Sequence, residues 1–166
     1  VHTHYVKVQR QIAVKESLFL RPLHPPIVVV PVDGWTSVSQ KAVRFALSIS
    51  REVQVVHVEA EGADGFARDW VEEVERPART LSLPVPELVI LPSPYRFVIQ
   101  PILEHVLAVE RQHENRIVAV VIPNLVERRW YHAFLHNQHG KLLAALLLIK
   151  GDRRIVIVNV PWYLDE

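Results

Sequence analysis

The stretch Ile27-Val28-Val29-Val30-Pro31-Val32-Asp33-Gly34 decides the fold. Its first six residues are apolar and mostly β-branched, with no polar residue on alternate positions. A strand with one wet face would alternate, so this run reads as a strand buried on both faces. Asp33-Gly34 ends it, and Ser37 to Ser50 then places Val38, Ala42, Val43, Phe45, Ala46 and Ile49 at helical spacing. Strand, acidic glycine turn and helix follow one another within 24 residues.

The same alternation continues toward the C-terminus. Strands are expected at Val53 to Val58, Glu87 to Leu91, Ile117 to Ile122 and Arg154 to Val160. Helices are expected at Asp64 to Arg76, around Phe66, Trp70, Val71 and Val74, and at Tyr95 to His113, with Val98, Ile102, Val106 and Val109 as its stripe. Leu125 to Lys150 reads as largely helical, broken around Asn137 to Gly140. Strands alternating with helices in this way predict an α/β fold: a parallel sheet with helices on both faces. Ligands of such sheets bind beyond the carboxyl ends of the strands, where strand order reverses.

Upstream, Val1 to Ser17 reads as a short amphipathic helix and Arg21-Pro22-Leu23-His24-Pro25-Pro26 as a linker, because proline removes a donor and restricts its predecessor. The expected division is therefore residues 1–25, a leading helix and linker, and residues 26–166, the domain. The chain begins on valine, which points to a fragment or a processed product.

Composition removes several classes of function. Of the 166 residues 49% are apolar and 22% charged, and the net charge is +1, so no strong field draws the chain to nucleic acid or acidic lipid. The absence of cysteine excludes a thiol nucleophile and thiolate metal ligands. The longest strongly apolar run, Leu142 to Ile149, is far short of the roughly 20 residues that span a bilayer. Neither a phosphate-binding P-loop, a G-x-G-x-x-G turn nor a G-x-S-x-G elbow occurs. His132 and His136 share a helix face, with His139 close by, but no carboxylate completes a zinc set, so no metal is expected.

Val28 to Gly34, followed by Ser37, Ser39 and Ala42, resembles the first strand, loop and helix of universal stress proteins. Trp35 stands where that family usually has serine, and Val55-Val56-His57-Val58 is similar to its second strand. The resemblance spans roughly Ile27 to Val160 and implies five strands in the order 3-2-1-4-5, which the sequence alone leaves open. ATP-binding members carry a glycine-rich segment after the fourth strand; here Ile122 to Trp130 contains no glycine.

That half resembles a narrower group, the cytosolic C-terminal domains of permeases of the amino acid–polyamine–organocation superfamily. The matching pieces are Ile122-Pro123 to Trp130, Leu135-His136-Asn137-Gln138, Val160-Pro161-Trp162-Tyr163-Leu164 and Ser93-Pro94-Tyr95-Arg96. His4 to Gln11 resembles the cytosolic helix after the last membrane span. The resemblance implies a non-catalytic regulatory domain on the cytoplasmic face of a membrane, attached to a transporter membrane domain. Some such permeases are potassium importers inhibited by cyclic di-AMP at dimerised domains. The expected partners are therefore an adenine nucleotide, cyclic di-AMP or else ATP or AMP, and a second copy of the chain.

The expected nucleotide site comprises Pro31, Val32, Asp33, Gly34, Trp35 and His57 on one wall, and Pro123, Asn124, Arg128, Arg129 and Trp130 on the other. Ser93, Tyr95, Arg96, His136, Asn137 and Gln138 complete it. Asp33 suits a ribose hydroxyl or an adenine amine, and Gly34 permits close approach. The arginines suit phosphate, since a planar guanidinium forks onto two oxygens. The fifth strand would be an apolar sheet edge, so Ile155, Val156, Ile157, Val158 and Val160 are expected to pair with their copies in a homodimer. A ligand-free interaction module, a free-standing ATP- or AMP-binding protein and, most remotely, an enzyme are the alternatives.

Overall fold

A computed structural model describes residues 2–15, 22–60, 65–93, 98–126 and 138–163. The sheet has five strands, β1 (Ile27–Val32), β2 (Val53–Ala60), β3 (Glu87–Ser93), β4 (Val118–Val126) and β5 (Ile155–Tyr163), in the spatial order β3-β2-β1-β4-β5. Every neighbouring pair is parallel. The expected fold class and strand order are both met.

Helices α1 (His2–Ile12), α2 (Ser37–Ile49), α3 (Phe66–Trp70), α4 (Arg76–Thr80), α5 (Ile99–Gln112) and α6 (Gln138–Lys150) accompany the sheet. Alternate residues of each strand go to opposite faces, so the core divides in two. Ile27, Val29, Val56, Val118, Val120, Ile122 and Ile155 pack under Ile102, Val106 and Val109 of α5 and Leu143 and Leu147 of α6. Val28, Val30, Val32, Val53, Val55, Ala119 and Val121 pack under Ala42, Val43 and Ala46 of α2 and under Trp70. Every residue of β1 is buried, as its unbroken apolar run demands.

Several boundaries differ from those expected. Leu125 and Val126 are strand rather than helix, because β4 pairs with β5 as far as Val126 and Tyr163. Their backbone groups find partners in that ladder, which a local propensity does not reveal. The expected helix through Leu125 to Lys150 is described only as α6; residues 127–137 lie outside the described residues. Strand β3 reaches Ser93 and α5 starts at Ile99, not at Tyr95. The helical segment expected to stop at Arg76 continues to Thr80. Between α3 and α4 it widens to a π-helical turn, Val71–Glu75. The widening sits directly before Arg76-Pro77, where the proline cannot donate to the preceding turn and its ring crowds it.

Polar contacts lock the base of the sheet. Arg116 donates through Nη2 to the Pro25 carbonyl and through Nη1 to Glu52, both at 2.6 Å, which fastens the end of the proline-rich segment. The buried Glu110 carboxylate accepts from the Asp152 backbone N–H at 3.0 Å, and Arg154 donates to the Glu110 and His113 carbonyls. The end of α5 is thereby tied to the start of β5. Gly151 turns the chain between α6 and β5: a Cβ there would run into Ile155 and the Leu147 carbonyl.

Candidate functional site

The site arises where two strands stop pairing. On one side, β1 follows β2 from Val28 opposite Val53 to Val32 opposite His57. On the other, β1 follows β4 only from Ile27 opposite Val118 to Val29 opposite Val120. Strand β4 continues beside β5 instead. The sheet therefore splits between β1 and β4 at its carboxyl end, where the direction of winding reverses.

A cavity of about 390 Å³ fills the split. Pro31, Val32, Asp33 and Gly34 form the β1 wall, and Ile122, Pro123 and Leu125 the β4 wall. Thr36, Val38 and Ser39 of the α2 entrance, Val98, Ile99 and Ile102 at α5, and His139, Gly140 and Leu143 of α6 close it. The lining is apolar with a few polar groups, the usual make-up of a small-molecule pocket.

The loop after β1 is held from several directions. Ser39 Oγ, buried, donates to the Gly34 carbonyl at 2.6 Å. Thr36 caps α2 by accepting the Ser39 N–H at 3.3 Å. His57 Nδ1–H donates to the Val32 carbonyl at 3.0 Å, and the imidazole stacks on Phe66 with centroids 4.0 Å apart. Trp35 meets the fully buried Trp70 edge to face at 5.2 Å, and Phe66 extends the cluster. Asp33 remains exposed at the mouth of the cavity. A Cβ added to Gly34 would meet nothing within 4 Å, so the chain itself does not require glycine there.

Of the residues read from sequence, Pro31, Val32, Asp33, Gly34 and Pro123 come together around the cavity. Trp35 and His57 do not line it; they brace the loop from behind, since their rings are taken up by Trp70 and Phe66. Ser93 is the buried last residue of β3, and Asn124 sits on β4 opposite Pro161; neither lines the cavity. Gln138 opens α6. Tyr95, Arg96, Arg128, Arg129, Trp130, His136 and Asn137 lie outside the described residues.

Thr36, Ser39, His139 and Gly140 were absent from the sequence-derived set. The first two follow the V-D-G turn directly, so a helix N-terminus beside the loop was the available signal. His139-Gly140 begins one residue past the expected site. The first turn of α6 carries no acidic residue, and His139 and Gly140 of that turn line the cavity. Among the described residues no three His, Asp or Glu side chains gather as a metal set. No helix among them is long and apolar enough to cross a membrane.

Comparison with known proteins places the sequence in a family. The potassium transporter KimA of Bacillus subtilis (strain 168) is 31% identical over 172 residues, an alignment that takes in 100% of this chain. The chain spans only 26% of that relative's length. A family model described as the KimA potassium transporter C-terminal domain matches residues 23–162, which begins within the proline-rich linker and takes in β1 to β4 and β5 as far as Trp162. The chain belongs to the KimA potassium transporter C-terminal domain family.

Proposed function

We propose that this chain is a regulatory domain of a potassium transporter that binds an adenine nucleotide, cyclic di-AMP in preference to ATP or AMP, in the crevice between β1 and β4. The parting of β1 from β4 after Val29 and Val120 carries this reading, because it opens a mostly apolar cavity beside the exposed Asp33 carboxylate. A purine would lie against Val32, Ile99, Ile102 and Ile122. Asp33 would accept from its ribose or exocyclic amine. The amides opening α6, with His139 and Gly140, would meet phosphate, helped by Arg96, Arg128 and Arg129. Binding, not catalysis, is the expected activity.

A symmetric cyclic dinucleotide suits a two-fold dimer, since each half meets the same residues. The two sheet edges differ in a way that favours β5 as the seam. Strand β3 is flanked or interrupted by Pro84, Pro86 and Pro92, which blunt an edge by removing donors. Strand β5 has no proline before Pro161 and leaves Val156 43% exposed. Ligand held by one arrangement of the pair would bias that arrangement and, through the linker fastened by Arg116, a membrane domain on whose cytoplasmic face the pair sits.

Calorimetric titration of the chain with cyclic di-AMP, ATP and AMP tests the reading. Saturable binding of cyclic di-AMP at one ligand per two chains, weakened by Arg128→Ala and Arg129→Ala, is the expected result. Absence of heat with all three nucleotides would sink the nucleotide reading and leave a dimerisation module.

A further inference from the structure

Beyond Val120, β4 keeps only one partner strand. Its last pair with β1 is Val29 opposite Val120, yet its ladder with β5 runs on from Val121 opposite Val158 to Val126 opposite Tyr163. The carboxyl ends of β4 and β5 thus form a two-stranded ribbon, a unit that is at best marginally stable alone in water. Its root is held, since Val121, Ile122 and Val160 are buried. Its tip is open: Leu125 is 40% and Tyr163 65% exposed. Pro123 and Pro161 stand between root and tip, on adjacent rungs. Neither has an N–H to donate, so the ladder has two fewer donors where the ribbon passes from buried to exposed.

A polar tie reaches this tip from α2. Lys41 Nζ donates to the Pro161 carbonyl at 2.6 Å and lies 5.8 Å from the centre of the Trp162 ring, within cation–π range. Pro161 and Trp162 are the ladder partners of Asn124 and Leu125, and Leu125 lines the crevice. Lys41 follows Val38 by about one turn of α2, and Val38 and Ser39 line the same crevice. One side chain therefore joins the helix that closes the crevice to the strand behind its β4 wall.

We propose that residues 124–126 and 161–163 form a hinged flap on the β4 side of the crevice, and that Lys41 is its latch. With the ammonium in place, the distance between α2 and the flap is fixed, and Leu125 with it. With the ammonium released, the tip swings about the two prolines and carries Leu125 away from the crevice. The contact is exposed, so water competes for both the ammonium and the carbonyl, which makes the latch one that opens. Lys41 acts here as a positioning residue, through β5. The latch does not depend on what the crevice binds.

The chain lacks cysteine, so nitroxide labels on Ser48→Cys and Tyr163→Cys, both exposed, read the distance from α2 to the tip. Pulsed electron resonance should give one narrow distance. Lys41→Met, which keeps the length and removes the charge, should turn it into a wide or split distribution. Lys41→Arg should restore the narrow one, because a guanidinium donates to a carbonyl and stacks on an indole. Equal widths with lysine, methionine and arginine overturn the latch. This measurement needs no ligand, so its failure is separate from failure of the nucleotide reading. In calorimetry, Lys41→Met should weaken cyclic di-AMP binding by about threefold to tenfold and Lys41→Arg should recover it. A widened distance with unchanged affinity overturns the flap as a wall of the binding crevice. No heat from the unaltered chain overturns the nucleotide reading and leaves the distances to decide the latch.

Discussion

Ser39 donates its buried hydroxyl to the carbonyl of Gly34 at 2.6 Å, joining the first turn of α2 to the loop that carries Asp33. The same residue's backbone N–H is taken by Thr36, so one serine fastens both the loop and the helix cap. Replacing it with alanine strands a carbonyl and loosens the loop. Ser39→Ala should lower unfolding stability by about 1–2 kcal/mol, read by denaturant titration. On the proposed function it should also weaken nucleotide binding more than its stability loss at working temperature accounts for.

Gly34 separates ligand space from chain space. Because a Cβ there meets no protein atom within 4 Å, Gly34→Ala should leave the melting temperature nearly unchanged. If the crevice takes a nucleotide against this loop, the same methyl group should reduce affinity by about tenfold, roughly 1.4 kcal/mol. Unchanged affinity in calorimetry places the ligand elsewhere.

Trp70 is fully buried and its indole N–H has no hydrogen-bond partner among the described residues. Trp70→Ala should cost about 3–5 kcal/mol through the cavity it leaves. Trp70→Phe should cost much less, because it keeps most of the ring and removes an unpaired polar group that itself costs about 1–3 kcal/mol. Near-ultraviolet circular dichroism should report the loss of the Trp35–Trp70 contact in both variants.

Half-buried His105 spans α5 and the sheet, meeting Gln54 Oε1 at 2.9 Å, while Gln54 Nε2 donates to Glu87 at 3.1 Å. Burial lowers its pKa below 6.5, against a smaller upward pull from the Glu87 charge. The unfolded chain therefore binds this proton more readily than the folded one. The stability His105 contributes is complete above pH 6.5 and is lost as pH falls from there through the lowered folded value. His105→Gln should flatten the stability–pH curve in that window, as measured by thermal melts across a pH series.

The exposed Val156 side chain tests the β5 seam without opening the core. Val156→Asp should leave the monomer fold intact and shift the chain toward monomer in light scattering, because an edge charge disfavours strand pairing. A dimer of unchanged strength places the seam off β5.

Much of this protein is legible in its residue order. The unbroken run Ile27 to Val32 dictates a doubly buried strand, and the 3.6-residue spacing in α2 and α5 dictates which faces turn inward, because burial follows local periodicity. The V-D-G turn, read as a crevice wall, lies on the cavity because it ends the strand from which β4 parts at the point where winding reverses. Partners distant in sequence were another matter. Whether Leu125 and Val126 are helix or strand depends on Trp162 and Tyr163 beside them. Whether His57 and Trp35 face the cavity depends on Phe66 and Trp70 having claimed their rings first. Periodicity sets which side of an element is buried; only tertiary packing sets which neighbour buries it, because the hydrophobic effect is non-directional and aromatic contacts and strand ladders choose among the remaining possibilities.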